Sequence, residues 1–290
     1  MALIPSRFLD AVVAIGFPGK DGLTTYAATG FLYGRLLHED PSREAQYRVF
    51  LVTNRHVLKD DETAILRFNL LRDEPAKEYR LSLYGRFAQR IWCPHPRPDI
   101  DIGVACLDVA KLRREGARFS YFRDDQDVAD IAACTAAGVS EGDPIFVLGF
   151  PMGDVGLEQN FVIVRHGTIA RIRDTMLRRS DDMVLDTFIF PGNSGGPVVR
   201  RHETAVAEMV GPSPGCQLIG VVKTYTPYTE VAVSLQTKRP RVVFEENSGL
   251  AQAHPMDLIR DAIEIANERA ERLADHGCTV DTWPSSAVAP

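Results

Sequence analysis

The sequence is poor in cysteine, in long apolar runs and in net positive charge. Five cysteines lie scattered without a Cys-x-x-Cys pair, which favours free thiols in a reducing compartment over a disulfide framework or a zinc site. No stretch approaches the roughly 20 apolar residues that a membrane-spanning helix needs, and Arg7 and Asp10 interrupt the segment where a secretory signal would need its apolar core. A net charge of -6 argues against nucleic acid as a partner. We therefore expect a cytoplasmic protein that binds neither membranes nor nucleic acid.

What the sequence does have is a globular composition and many short apolar segments. Hydrophobic residues make up 45% and charged residues 25% of the 290 residues, enough for one large domain or two closely packed ones. Segments rich in Val, Ile, Phe and Leu, each bounded by Gly, Pro, Asp or Asn, predict short β-strands. They cover residues 11–17, 28–34, 48–53, 63–68, 101–107, 144–150, 160–172, 183–190, 195–199, 217–225 and 231–235. Because no helices alternate with them, these strands favour antiparallel barrels or sandwiches over a parallel sheet.

Four segments differ from this pattern. Residues 108–142 combine a charged, loop-like run with an alanine-rich piece, which suits a connection between two β units. Residues 255–275 carry apolar side chains at helical spacing and charges on the other face, so they predict a helix. The tail 278–290 lacks periodicity, and we expect it to be mobile. Arginines between positions 171 and 179, interrupted by Asp174 and followed by two further aspartates, predict a solvated loop.

The segment PGNSGGP (191–197) lies between two apolar strands and carries the strongest chemical signal. Cleavage of a peptide bond by serine needs a hydroxyl on a tight turn, next to backbone N–H groups that can hold a developing oxyanion. Glycines on both sides of Ser194 permit such a turn. The N–H groups of Gly192 and Ser194 are the natural oxyanion donors. Taken alone, a turn rich in Gly and Pro with one serine is common, so partners for Ser194 are needed.

Two further segments supply those partners. His56 follows directly on a hydrophobic strand, and a histidine can accept a serine proton near neutral pH because its ordinary pKa is about 6.5. In the run Asp99-Ile100-Asp101, an acid enters an apolar strand, which is costly unless the acid pairs with something such as an imidazole N–H. Either acid could serve, but apolar alternation continues only after Asp101, which favours Asp101.

Together these segments resemble the trypsin-like peptidase superfamily, most closely its HtrA-like and intracellular bacterial branches. The chain order His, Asp, Ser matches that superfamily and differs from the subtilisin and α/β-hydrolase orders. TNRHV (53–57) is similar to the family's histidine motif, DIGVACL (101–107) to its aspartate motif and DTFIFPGNSGGPVV (186–199) to its serine motif. Weaker similarities occur in the expected order in ATGFLYG (28–34), EGDPIFVLGFPMG (141–153) and LIGVV (218–222).

The resemblance implies a mainly β fold of two six-stranded antiparallel β-barrels followed by a C-terminal α-helix. Its N-terminal barrel, 1–125, would carry His56 and Asp101, and its C-terminal barrel, 126–250, would carry Ser194. Residues 251–290 would form the helix and the mobile tail. No PDZ-like extension follows residue 275, so we expect a member without a PDZ domain.

The implied activity is that of a serine endopeptidase acting on proteins or peptides. His56 would take the Ser194 proton, Asp101 would orient His56, and the amides of Gly192 and Ser194 would hold the oxyanion while an acyl-enzyme forms. No metal or organic cofactor is required.

The resemblance also indicates where substrate would bind. It places Phe188, six residues before the serine, at the base of the specificity pocket. With no acid there, a preference for Arg or Lys is not supported. It places Lys223, Thr224 and Tyr225 on the strand that pairs with substrate, although Lys223 could equally point to solvent.

One departure from digestive trypsins affects regulation. Asn193 replaces the aspartate with which a freshly cut N-terminal amine pairs in those enzymes. We therefore expect regulation by loops, a partner protein or an appended element instead of that N-terminal switch. The alternative function is a catalytically silent or partner-activated module, which binds peptides or acts as an effector component of an intracellular assembly.

Overall fold

A computed structural model describes residues 3–38, 45–85, 89–201, 215–272 and 280–282. These ranges contain fifteen β-strands and six α-helices. The strands are β1 Val12–Pro18, β2 Thr24–His38, β3 Gln46–Thr53, β4 Thr63–Phe68, β5 Lys77–Ser82, β6 Cys93–Pro94, β7 Gly103–Cys106, β8 Phe122–Arg123, β9 Pro144–Gly149, β10 Ile163–Arg171, β11 Met183–Asp186, β12 Pro197–Arg201, β13 Cys216–Val233, β14 Pro240–Pro255 and β15 Val280–Thr282. The helices are α1 Ser6–Leu9, α2 Arg55–Leu58, α3 Val109–Arg114, α4 Ile131–Ala136, α5 Arg173–Met176 and α6 Met256–Arg272.

The N-terminal half forms a nine-stranded sheet in the order β5-β4-β1-β2-β3-β7-β6, with β15 added on β3 and β8 on β2. Its central strands are buried on both faces. In β1, Val13 and Ile15 face a core that lies within this sheet, whereas Val12 and Ala14 face a second core. That second core also contains Leu148 of β9, so it joins the two halves of the molecule. Apolar side chains on both faces explain the continuous hydrophobic runs of these strands.

The C-terminal half is a closed barrel of six strands in the order β10-β11-β14-β13-β12-β9. Alternate residues of β9 again face different cores. Ile145 and Val147 fill the barrel, and Phe146 and Leu148 face the first half. Strands β13 and β14 continue past the barrel as a two-stranded hairpin, in which residues 227–233 pair with 240–247.

Helix α6 packs on the core between the two halves. Ile259, Ala262, Ile263 and Ala266 are buried and follow the helical spacing expected from the sequence. The chain then returns to the N-terminal sheet, where β15 pairs antiparallel with β3. Residues 280–282 of the tail thus form a strand, while 278–279 and 283–290 lie outside the described residues, and the mobility of the tail stays a prediction. This strand could not be predicted from the sequence, since three residues are too few to show the alternation of a strand.

The mainly β fold and the C-terminal helix are confirmed, but the prediction of two closed six-stranded barrels is only half right. Among the described residues, hydrogen bonds close the C-terminal barrel and leave the N-terminal sheet open between β5 and β6. The physical reason is the shortness of β6, which has two residues and, among the described strands, pairs only with β7. Described residues on either side of 86–88 pair with each other instead, with Ile91 N–H donating to the Leu83 carbonyl at 2.9 Å.

The connection expected to be loop-like contains two helices and β8. The N-cap of α3 is Asp108, whose carboxylate accepts from Lys111 N–H at 3.0 Å. The N-cap of α4 is Asp130, whose carboxylate accepts from Ala133 N–H at 2.8 Å. Such caps stabilise the exposed first turn of a helix. The two aspartates were therefore sequence signals for helix starts, although the charged and alanine-rich composition around them suggested a loop.

The cysteines correct a further expectation. Cys93, Cys134 and Cys216 are free and buried, but Cys106 is disulfide-bonded. The expectation that all the cysteines are free thiols is therefore wrong. Burial raises the pKa of the Cys134 thiol to about 11, which keeps it protonated at neutral pH. The argument for a reducing compartment from unpaired cysteines is therefore lost. Within the described ranges, no helix is both long and apolar enough to span a bilayer.

Candidate active site

The pairing of β3 with β7 brings the histidine and aspartate segments together. Thr53 at the end of β3 is the register partner of Gly103 at the start of β7. His56 lies in α2, one turn beyond β3, and Asp101 lies two residues before β7. The Asn54 side-chain amide and the Arg55 N–H both donate to the Asp101 carbonyl, at 2.8 and 3.3 Å. The strand register thus fixes the separation of the two segments.

Both carboxylate oxygens of Asp101 contact His56. Oδ1 accepts from the His56 backbone N–H at 3.0 Å, and Oδ2 lies 2.6 Å from the ring nitrogen Nδ1. Burial raises the pKa of the Asp101 carboxyl, but hydrogen bonding and charge from His56 outweigh burial, so the pKa is lowered overall. Asp101 is therefore a carboxylate at neutral pH. Asp99, the other acid of the motif, is 60% exposed at its side chain and binds Arg97 at 2.6 Å.

The serine turn connects β11 with β12 and packs against the N-terminal sheet. Gly195 has φ +81°, and a Cβ there would lie 2.2 Å from both the Thr29 carbonyl oxygen and the Thr53 hydroxyl. Thr29 N–H donates to the Ser194 carbonyl at 3.0 Å, and the Thr29 hydroxyl donates to the Gly192 carbonyl at 2.6 Å. These contacts bring Ser194 to the end of β3, the strand that leads to His56. No hydrogen bond joins the Ser194 hydroxyl to the His56 ring, both of which are described.

Within the turn, two amides are left without an acceptor. The N–H groups of Asn193, Gly195 and Gly196 donate to carbonyls at 2.9, 3.1 and 2.9 Å. By contrast, the N–H groups of Gly192 and Ser194 donate to no acceptor in the described part of the chain. These are the two amides that the sequence predicts as oxyanion donors. The fully buried Asn193 closes the turn through its Oδ1, which accepts from the Phe190 N–H at 2.9 Å.

Lys223, Thr224 and Tyr225 lie on β13 immediately beyond the serine turn. Val222 exchanges backbone hydrogen bonds with Gly195 and Gly196, and the pairing of β12 with β13 extends no further along β13 among the described residues. The edge of β13 beside the turn is therefore open from Lys223 onward. The Lys223 side chain does not point to solvent, because Nζ donates to Asp182 Oδ2 at 2.7 Å.

Phe188 lies between β11 and the serine turn. Its side chain is 55% exposed, and its ring packs against Gly249, where a Cβ would be 3.4 Å away. Thr187 N–H donates to the Gly249 carbonyl, and Asn247 donates to the Ile189 carbonyl at 2.6 Å. The segment before the serine thus packs beside residues 247–249 of β14, where that strand enters the barrel.

Sequence reasoning missed two polar residues behind Asp101. His254 is fully buried, and its Nε2 accepts from the Asp101 N–H at 3.1 Å. Asp182 Oδ1 lies 2.7 Å from the other ring nitrogen of His254. His254 is 153 residues from Asp101, so no local pattern could join them. Asp182 belongs to the run expected to be a solvated loop, an expectation that is wrong for this residue and for α5.

A separate cleft of about 340 Å³ is lined by polar and apolar side chains, among them Asp10, Arg67, Phe68, Arg118 and Phe161. It contains none of the predicted site residues. Among the described residues, no group of three His, Cys, Asp or Glu side chains is placed to hold a metal ion.

The closed barrel, the sheet beside it and the His, Asp, Ser order define a protease-type fold. A family model described as a trypsin-like peptidase domain matches residues 28–207. This range covers more than half of the chain and includes His56, Asp101 and Ser194, so the chain belongs to the trypsin-like peptidase family. No curated protein matches the sequence.

Proposed function

We propose that the protein is a serine endopeptidase in which Ser194 is the nucleophile, His56 the general base and Asp101 the group that orients His56. The observation that carries this proposal is the contact of 2.6 Å between Asp101 Oδ2 and His56 Nδ1. It is supported by the neighbouring serine turn, whose Gly192 and Ser194 amides have no other acceptor in the described chain. Few structural roles require a charged carboxylate, an imidazole and two free amides in one place.

In the proposed mechanism, Asp101 accepts a hydrogen bond from His56 Nδ1–H, so the ring proton stays on Nδ1 and Nε2 is free to act as a base. His56 takes the Ser194 proton as Oγ attacks the substrate carbonyl, and the amides of Gly192 and Ser194 bind the oxyanion. The imidazolium then protonates the leaving amine, and water hydrolyses the acyl-enzyme with His56 as base again. Hydrogen bonds of free serine peptidases are often long and tighten only when substrate binds, which accommodates the unbonded Ser194 hydroxyl.

The geometry supports a peptide substrate that pairs with β13. The open edge from Lys223 to Tyr225 lies next to the turn and can add an extended strand through backbone hydrogen bonds. Phe188 provides apolar surface, and Lys223 is already paired with Asp182, so it does not offer a free charge to an acidic substrate side chain. We infer a preference for uncharged residues on the acyl side of the cleaved bond.

The site is also proposed to need no newly cut N-terminus. In the position where digestive trypsins have an aspartate, the Asn193 amide is neutral and its oxygen binds the Phe190 N–H. A neutral amide whose oxygen already accepts a hydrogen bond within its own turn gives little attraction for an ammonium group. Regulation, where it occurs, is assigned to loops or a protein partner.

A fluorophosphonate probe tests the proposal directly, because it forms a covalent bond only with an activated serine. We expect labelling of the wild-type chain and its loss in Ser194→Ala and His56→Ala, with casein hydrolysis falling in parallel by about 10⁴- to 10⁶-fold. Ser82→Ala, at an exposed strand position, is the matched control and keeps full labelling. A folded wild-type chain without labelling would instead indicate a silent or partner-activated module.

A further inference from the structure

Three side chains of the C-terminal barrel lie in line behind Asp101. The Asp101 N–H donates to His254 Nε2 at 3.1 Å, and His254 Nδ1 lies 2.7 Å from Asp182 Oδ1. Asp182 Oδ2 in turn accepts from Lys223 Nζ at 2.7 Å. His254 is on β14, Lys223 on β13, and Asp182 immediately precedes β11. We call His254, Asp182 and Lys223 the His254 array.

The contact with Asp101 fixes the protonation of His254. A backbone N–H can only donate, so Nε2 must carry its lone pair and the single ring proton must be on Nδ1. That proton faces Asp182 Oδ1 and, at 3.4 Å, the Asp181 carbonyl. Asp182 Oδ1 lies within ion-pair distance of Nδ1 but outside hydrogen-bond geometry, so proximity and charge hold this contact. His254 is thus neutral and in one tautomer.

Lys223 and His254 together stabilise the charge of Asp182. Burial raises the pKa of the Asp182 carboxyl, but hydrogen bonding from His254 and Lys223 outweighs burial and lowers the pKa overall. A carboxylate beside a histidine nitrogen favours the tautomer that carries the ring proton on that nitrogen. Lys223 therefore acts on Asp101 through two intermediates, Asp182 and His254.

The remaining polar groups of Asp101 are held by its own half of the molecule. Its carbonyl accepts from Asn54 and Arg55, and its carboxylate accepts from His56. The backbone N–H is the group held from the other half, by His254. If the C-terminal barrel moved away from the N-terminal sheet, this bond between Asp101 and His254 would be lost.

We propose that His254, Asp182 and Lys223 are positioning residues, through which the C-terminal barrel holds Asp101 in the orientation that His56 requires. This inference rests on the proposed serine peptidase function. The inference gives β13 a second role. The Lys223 backbone belongs to the edge that is expected to bind substrate, and the Lys223 ammonium group belongs to the His254 array.

The test uses four variants of the full chain, with Lys223→Met as a fifth in reserve. His254→Phe keeps the ring shape and removes the acceptor, whereas His254→Gln keeps an acceptor near the position of Nε2. Asp182→Asn allows the wrong tautomer of His254. Asp181→Asn is the matched control, since the Asp181 carboxylate binds exposed Arg97 and makes no contact with the array through its side chain. Measurements are the rate of fluorophosphonate labelling, kcat and KM on casein peptides, the melting temperature and the downfield proton resonance of His56 Nδ1–H.

We expect His254→Phe and Asp182→Asn to lower the labelling rate and kcat by roughly 10- to 100-fold, with little change in KM. The His56 resonance should shift or broaden in both, and it should persist in His254→Gln and Asp181→Asn. A purely structural role would lower the melting temperature of His254→Phe and leave the resonance of the folded protein unchanged, which would overturn the proposal.

The resonance separates this proposal from the proposed function. If the wild type hydrolyses nothing but the resonance still responds to His254→Phe, the peptidase assignment fails and the positioning role holds. If the wild type hydrolyses peptides and the array variants change neither the catalytic rate nor the His56 resonance, only the positioning role fails. Should His254→Phe not fold, Asp182→Asn and Lys223→Met decide the question by the same two readouts.

Discussion

Replacing Asp101 by asparagine puts one oxygen and one NH₂ group where two oxygens now lie. The His56 backbone N–H can only donate and lies 3.0 Å from Oδ1, so it holds the amide oxygen there. The NH₂ group then takes the place of Oδ2, 2.6 Å from His56 Nδ1. Because NH₂ is a donor, Nδ1 must give up its proton. The ring proton moves to Nε2, the atom that has to accept the proton of Ser194.

We expect Asp101→Asn to fold normally and to lose about 10⁴-fold in kcat, the cost of the wrong tautomer in a serine peptidase. This corresponds to about 5 kcal/mol of activation free energy. Steady-state hydrolysis of casein peptides measures the loss, and the melting temperature checks the fold.

Asp99→Asn is the matched control because it makes the same chemical change two residues away. Its exposed carboxylate binds Arg97 and no part of His56, so we expect activity within about 2-fold of wild type. Retention of more than about a tenth of kcat in Asp101→Asn, or an equal loss in Asp99→Asn, would refute the reasoning.

Three further predictions concern stability, the turn and specificity. The Asp127 carboxylate, 3% exposed, receives hydrogen bonds from two arginines, and Asp127→Asn should lower the free energy of unfolding in urea at pH 7 by about 3–5 kcal/mol. Burial raises its pKa but the arginines lower it overall, so this contribution should be complete above about pH 4 and vanish as pH falls through the lowered pKa; a difference independent of pH would contradict it. Gly195→Ala should abolish probe labelling, because the new Cβ would lie 2.2 Å from a carbonyl oxygen of β2, and normal labelling would show that the turn is looser than described. Peptide-library profiling should show cleavage after uncharged residues, with Phe188→Asp shifting it toward Arg and Lys; dominant cleavage after Arg or Lys by the wild type would mean that the pocket is elsewhere.

The parts of the site that could be predicted from sequence are those with local signals. His56 and Ser194 stand at the ends of apolar strands within short motifs, and Asp101 was favoured over Asp99 by the apolar alternation after it. The family assignment drawn from these motifs is confirmed by the match over residues 28–207. Their catalytic roles stay predictions that the proposed experiments test.

The rest depended on contacts between distant residues. Asp182 looked like one more charge in a solvated run, because its partners His254 and Lys223 lie on other strands of the barrel. Thr29 gave no chemical signal inside its apolar strand, yet its backbone and hydroxyl hold the serine turn. The open N-terminal sheet was also unpredictable, since it follows from the shortness of β6 and not from any composition.

The pairing of β15 with β3 has a consequence for synthesis on the ribosome. Arg48 of β3 donates to Asn267 of α6, 219 residues further along the chain, and β15 pairs with β3 beyond that helix. The strand that leads to His56 therefore gains its last neighbour only after the closed barrel and α6 have been translated. Loop-closure entropy makes contacts of such long separation slow to form. The nascent chain thus has to keep the edge of β3 at residues 46–48 from pairing wrongly while most of the protein is still being made, and residues 280–282 complete the sheet last.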